Sequence, residues 1–165
     1  MQRVRIYTDG GCLKNPGGIG AWAAVLQWGT RNADDTFTVT FQKRIGGAEA
    51  ETTNNRMELV AAIRALEALK KEGLRVEVFS DSQYLVKGMT EWMTRWIEQE
   101  WKGVANDDLW RVLLVLSHKQ RVSWTWIRGH NGHPENEVAD ALVAVLMRRV
   151  KAGAPASSVT IEETD

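Results

Sequence analysis

The sequence predicts an α/β fold: a mixed five-stranded sheet, an antiparallel meander followed by two parallel strands, with helices on both faces. Three observations predict it. Residues 4–41 hold three short period-two runs separated by turn residues. After Thr53 the apolar period lengthens to that of a helix. Beyond that point each strand-like run is followed by a helical one, the order of parallel βα units. With 165 residues the chain is long enough for one well-buried core.

The first strand is Val4-Arg5-Ile6-Tyr7-Thr8, which alternates and stops at Asp9-Gly10-Gly11. Cys12–Gly20, with one proline and three glycines, predicts a tight loop. Ala21–Trp28 is the second strand. Asn32-Ala33-Asp34-Asp35 turns the chain into Thr36–Phe41, a third strand rich in β-branched and aromatic residues. Ile45–Glu51, small and glycine-containing, reads as a loop. Thr52-Thr53-Asn54-Asn55 offers N-cap side chains to a helix from Met57 to Glu72, with Leu59, Ile63, Leu66 and Leu69 on one face and Gly73 after its end. Val76–Ser80 is a strand running into Asp81. A helix starts at Ser82, is broken by Gly88, and resumes over Thr90–Gln99. Asp107 or Asp108 caps a helix through Leu116. Val122–Ile127 is a strand, Arg128–Pro134 a glycine-flanked loop, and Glu135–Val150 the last helix. Residues 151–165, rich in Gly, Pro, Ala and Ser with an acidic end, read as a flexible tail after a domain over residues 1–150.

Composition excludes several classes. Apolar residues make up 44% and charged residues 25%, a globular balance. The lone Cys12 allows no intrachain disulfide. No apolar run is long enough to cross a bilayer and the first residues show no signal core, so the expectation is a cytoplasmic protein with no membrane association. Net charge is zero with no basic tail, so charge alone does not suggest a nucleic-acid partner.

The acids say more. Asp9 and Asp81 each end a strand; if those strands are neighbours, both carboxylates leave the same sheet edge, where open α/β sheets bind ligands. Glu58 falls in the first turn of the following helix. Asp140 interrupts the apolar run Val138-Ala139-Ala141-Leu142-Val143, where an unpaired charge is costly. Three of them have an ordinary alternative, Asp9 as a turn residue, Asp81 as a helix cap and Glu58 as a capping-box partner of Asn55, whereas Asp140 is harder to dismiss. Taken together, close carboxylates stay ionised only beside cations, and all-oxygen donor sets suit Mg²⁺ or Mn²⁺. Two such ions about 4 Å apart are a standard arrangement for phosphodiester chemistry.

Four blocks resemble ribonuclease H of the bacterial type 1 class: Tyr7-Thr8-Asp9-Gly10-Gly11-Cys12-Leu13-Lys14-Asn15-Pro16-Gly17, Thr52-Thr53-Asn54-Asn55-Arg56-Met57-Glu58-Leu59, Asp81-Ser82-Gln83-Tyr84, and Gly129-His130-Asn131-Gly132-His133-Pro134-Glu135-Asn136-Glu137 with Asp140. The resemblance spans residues 3–150 and implies a monomeric endonuclease that cuts the RNA strand of RNA–DNA hybrids and leaves 5′-phosphate and 3′-hydroxyl ends. It implies two Mg²⁺ ions, with Mn²⁺ able to substitute, held by Asp9, Glu58, Asp81 and Asp140. It implies that His130 shuttles protons and assists product release. The backbone amides of Gly10, Gly11 and Cys12 and the side chains of Asn15, Asn54 and Gln83 would read the minor groove of the hybrid, with Glu58 also facing the 2′-hydroxyl. Asn55 lies in the same block; helix capping is the other role open to Asn54 and Asn55. Thr53 and Arg56 would contact DNA phosphates, and Trp92 a deoxyribose. Rival readings are another two-metal nuclease on this fold and a hybrid-binding module without catalysis. The two blocks after Thr52 and Gly129 oppose the first, and the full set of four acids opposes the second.

His130 and His133 do not suggest zinc, since no cysteine accompanies them. Trp96, Met89, Met93 and Trp110 form a stripe expected in the core, and Trp124 and Trp126 are expected to pack on helices. The sequence departs from the resemblance in two places. Gly11 stands where Ser or Ala is common, and Thr90–Asp108 is short and net acidic where many relatives carry a basic handle.

Overall fold

The computed structural model describes residues 2–129 and 132–165. In chain order the elements are β1 (Gln2–Cys12), β2 (Gly18–Arg31), β3 (Phe37–Thr52), α1 (Asn54–Glu67), β4 (Arg75–Ser80), α2 (Gln83–Lys87), α3 (Met93–Glu98), α4 (Asp107–His118), β5 (Arg121–Trp126), α5 (Pro134–Lys151) and β6 (Thr160–Thr164). The strands form one sheet in the order β5-β4-β1-β2-β3-β6. β1, β2 and β3 are the antiparallel meander, and β4 and β5 add in parallel beside β1.

The alternation in β1 divides the core. Val4 and Ile6 face α1 and the α2–α4 layer, whereas Tyr7 faces α5. On the first side Val4, Ile6, Leu26, Val76 and Val78 lie under Leu59, Ile63 and Leu66 of α1, with Trp110 and Leu113 of α4 alongside. A 14-residue helix is marginal by itself, so α1 depends on this docking. Each of its fully buried leucines contributes about 2 kcal/mol. On the other side Ala23 and Val25 meet Ala139, Val143 and Leu146 of α5, and Tyr7 stacks on Phe79 with ring centroids 4.8 Å apart.

Four expectations need correction. The sheet has six strands, because Thr160–Thr164, in the segment read as a tail, pairs antiparallel with the outer edge of β3. Val159 is buried there, and Lys43–Glu162, Arg44–Glu163 and Arg44–Asp165 ion pairs line the seam. Ile45–Glu51 is not a loop but the second half of β3. Its glycines mark close approaches: a Cβ on Gly46 would lie 2.8 Å from Leu146, and one on Gly47 2.8 Å from the Trp22 indole nitrogen. Gly88 does not break the helix. It begins a π-helical turn, Gly88–Trp92, that carries α2 into α3, and any Cβ there would collide with Trp110. Finally, α1 ends at Glu67, six residues before Gly73, although Leu69 is still buried.

Candidate active site

Parallel pairing brings the first two acids together. Thr8 of β1 lies opposite Ser80 of β4, so Asp9 and Asp81 leave the same sheet edge side by side. The β1–α1 contact brings the third. A Cβ on Gly10 would collide with the backbone of Met57 and Glu58, so only glycine lets β1 pass this close to α1. The Gly10 amide then donates to Glu58 Oε1 at 3.0 Å. Carboxylate oxygens of Asp9, Glu58 and Asp81 all lie within 4.8 Å of one another. Asp140 reaches the same cleft from α5, which crosses β1 and β2.

The cleft measures about 460 Å³. Besides the four acids it is lined by Gly10, Gly11, Cys12, Asn54, Asn55 and Ser82, with Val143, Ala144 and Met147 as an apolar wall. No lysine or arginine is among these lining residues. Burial pushes the Asp9 carboxyl up to about 8, with the charges of Asp81 and Asp140 adding to the effect. Burial also drives Glu58 well above the carboxylate range, with Asp9 and then Asp81 contributing. Among the described residues Glu58 Oε2 is buried with no hydrogen-bond partner. Buried, mutually repelling carboxylates with an orphaned oxygen and no nearby basic side chain suit a hard divalent cation.

The remaining expected residues are more scattered. Gly11 abuts Val143 of α5, and the Cys12 thiol donates to the Lys14 carbonyl at 3.1 Å. Asn15 Oδ1 accepts the Asn54 amide at 3.2 Å, joining the loop after β1 to the start of α1. Thr53 is the N-cap of α1, accepting the Arg56 amide through its hydroxyl, so capping falls to Thr53 rather than to Asn54 or Asn55. The Arg56 guanidinium forms a two-pronged pair with Asp108 at 2.8 and 3.1 Å and also donates to Asn106, which ties α1 to α4. Gln83, in the first turn of α2, is exposed and does not line the cleft. Trp92 is half-buried between Tyr84 and Trp96. His130 lies outside the described residues, but the preceding Gly129 sits against Asp81, where a Cβ would be 3.1 Å from Oδ2.

Sequence reasoning missed three contributors. Ser82 lines the cleft and caps α2 by accepting the Leu85 amide at 3.1 Å; the Asp-Ser-Gln start of that helix could have revealed it. Trp126, expected to pack on a helix, is 40% exposed, and its indole N–H donates to the Asp81 carbonyl at 3.1 Å. That contact exists only because β5 pairs with β4. The apolar wall follows from helix geometry, since Val143, Ala144 and Met147 share the face of Asp140 at i+3, i+4 and i+7.

Comparison with known proteins points to a single family. The RNase H family model matches residues 1–147. A ribonuclease H of Hahella chejuensis is 50% identical over 147 residues, covering 86% of this chain and 91% of that protein. One from Geotalea uraniireducens is 46% identical over 158 residues, covering 93% and 99%. Among solved structures, LC9-RNase H1, described as a type 1 RNase H with the type 2 active-site motif, superposes with a TM-score of 0.79 at 28% identity, covering 99% of this chain and 78% of its own.

Proposed function

This chain belongs to the ribonuclease H family, and we propose that Asp9, Glu58, Asp81 and Asp140 form its catalytic centre, served by His130 from the adjoining loop. The enzyme is a divalent-metal-dependent hydrolase that cleaves the RNA strand of RNA–DNA hybrids, leaving 5′-phosphate and 3′-hydroxyl ends. One observation supports the site most directly: three carboxylates from three separate stretches of chain converge within 4.8 Å in a cleft that no lysine or arginine lines among the described residues.

The donor set is all oxygen, which favours Mg²⁺, with Mn²⁺ an acceptable substitute. When bound, two such ions supply charge that activates water and stabilises the departing 3′ oxygen. The protein's own part is positioning. Asp9 stands between Glu58, Asp81 and Asp140, so it is the acid suited to both ions. The Gly10 amide fixes one Glu58 oxygen and leaves the other free for a ligand or a 2′-hydroxyl. His130, next to Gly129 in sequence, shuttles protons near neutral pH and assists product release. The Gly11 and Cys12 amides, with Gly10, Asn15, Asn54, Asn55 and Gln83, read the hybrid minor groove. Thr53 and Arg56 meet DNA phosphates, Arg56 with the donors that Asp108 and Asn106 leave open, and Trp92 faces a deoxyribose.

We read the protein as a cytoplasmic monomer with its catalytic domain in residues 1–150 and an appended segment in 151–165. Among the described residues no helix is long and apolar enough to cross a membrane. The test is cleavage of labelled RNA within a DNA hybrid, with Mg²⁺ and with EDTA, beside matched double-stranded RNA and DNA. Cutting confined to the hybrid and dependent on Mg²⁺ is expected. Equal cutting of all three duplexes, or cutting in EDTA, would overturn the reading.

A further inference from the structure

A second charged feature lies at the opposite end of the sheet. Arg3, Arg75 and Arg121 are direct cross-strand neighbours on β1, β4 and β5. Residues paired this way project to one face, so the three guanidinium groups stand in a row, spaced by the roughly 4.8 Å between strands and spanning roughly 10 Å. Like charges directly opposite one another on a sheet destabilise it unless something neutralises them.

Nothing within the described chain does so. The basic residues of the six strands are Arg3, Arg5, Arg31, Lys43, Arg44, Arg75 and Arg121. Arg5 pairs with Glu77, Arg31 with Asp35, Lys43 with Glu162, and Arg44 with Glu163 and Asp165. Arg3, Arg75 and Arg121 have no ion pair and no side-chain hydrogen bond among the described residues. They are therefore the strand cations left without a partner, and they are adjacent. Glu77, the acid of the same cleft, is already engaged by Arg5 at 3.6 Å.

The row is also accessible. The three arginines line one open cleft of about 320 Å³ with Glu77 and Ser123. α5 makes its main contacts with β1, β2 and β3, and Arg75 and Arg121, at the start of β4 and β5, are exposed. Arg3 and Asp9 are six residue steps apart along β1, about 20 Å at 3.3 Å per residue, so this cleft is distinct from the acidic one.

We propose that Arg3, Arg75 and Arg121 form a binding site for consecutive phosphate groups, as carried by a nucleic-acid backbone or by a nucleotide polyphosphate. Guanidinium forks match phosphate oxygens two at a time, and a row of three matches a row of charges rather than a single anion. Among the described residues lining the cleft the only apolar side chains are Val76 and Val122, and the nearby Phe37 ring is already covered by Arg5 at 4.4 Å, so the cleft offers little of the apolar anchorage that an acidic peptide would ordinarily use for affinity.

The test titrates tripolyphosphate, and separately a single-stranded DNA oligonucleotide, into the full-length protein in EDTA at fixed ionic strength. Sulfate and poly-glutamate serve as controls. Amide chemical shifts of residues 3, 75 and 121 and the melting temperature are the readouts. Saturable shifts at these residues and a raised melting temperature are expected with phosphate ligands, and in the Arg75→Gln/Arg121→Gln variant the shifts should saturate only at much higher ligand concentration and the rise in melting temperature should shrink. For the oligonucleotide, the slope of log K against log salt should fall by about 1.4 in that variant, two contacts at roughly 0.7 each. Response to the oligonucleotide alone assigns the site to nucleic acid, and response to tripolyphosphate alone assigns it to nucleotides. Hybrid cleavage by the variant at saturating substrate should match wild type. No saturable shift at the three arginines, an equal response to sulfate, or a response to poly-glutamate alone would overturn the proposal.

Discussion

Asp9 shows how the fold changes the chemistry of one side chain. It is buried, its pKa is pushed up to about 8, and its neighbours are acids. Without metal, the folded protein keeps a proton that the unfolded chain, with an ordinary carboxyl near 3.9, releases. The stabilisation this provides is complete below about pH 4 and is lost as pH rises through about 8. Asp9→Asn should flatten that decline, so that in EDTA the variant melts higher than wild type at pH 9 and the gap narrows at pH 5. Glu58 keeps its own share of the slope. Turnover should fall close to zero while the fold persists. Near-full Mg²⁺-dependent activity in Asp9→Asn would refute the site. His130→Ala should cost less, about 10²-fold or below in kcat, because the four acids remain. Steady-state rates beside hybrid affinity check this, and a loss as complete as that of Asp9→Asn would mean a different role for the loop.

Two elements carry expectations of their own. β6 closes the outer edge of β3 through backbone pairing, buried Val159 and exposed ion pairs. Exposed pairs stabilise little, so the buried valine and the ladder dominate. Val159 alone is worth about 2 kcal/mol, or roughly 4–8 °C at this chain length. A chain ending at Ala154 should melt lower by at least that much and cleave saturating hybrid at the wild-type rate. An unchanged melting temperature would show that β6 adds nothing to stability. The other element is the acidic segment after α3. Trp96 and Trp101 anchor it toward Trp110, while Glu98 and Glu100 remain exposed. Affinity for a duplex comes largely from neutralised phosphates, so the pair opposes hybrid binding wherever it approaches the substrate. Glu98→Lys with Glu100→Lys should tighten binding and steepen the salt slope by about one to two units. Unchanged affinity and slope at low salt would place the segment away from the hybrid.

Across the whole molecule, a net charge of zero conceals a division. Acids gather where β1 and β4 end, and unpaired arginines stand where β1, β4 and β5 begin. Where its carboxylates are ionised, the acidic end repels itself unless a cation binds, so folding and metal binding are linked. At a hundred times its Kd, Mg²⁺ should add about 2.7 kcal/mol, which is roughly 5–11 °C in melting temperature. Calorimetric scans across a Mg²⁺ series should show the rise in wild type and lose most of it in Asp9→Asn. A variant that responds as strongly as wild type would mean that the ion stabilises the protein elsewhere.

The sequence by itself determined the order of strands and helices from β1 to α5, the two faces of β1, and the identity of Asp9, Glu58, Asp81 and Asp140 as candidates. Those follow from local periodicity and from motifs that one stretch of chain carries whole. Their convergence, and the rest of the site, depended on contacts between distant segments. Only the register of β1 against β4 sets Asp9 beside Asp81, and only the pairing of β5 with β4 brings the Trp126 indole to the Asp81 carbonyl. Gly46 and Gly47 looked like loop residues because the packing of Leu146 and Trp22 against them is invisible locally, and Gly88 looked like a helix break for the same reason with Trp110. β6 was read as tail because a short polar strand becomes one only when an edge such as β3 offers it partners. The arginine row likewise has no sequence signature: Arg3, Arg75 and Arg121 are 72 and 46 residues apart, and parallel register alone makes them neighbours.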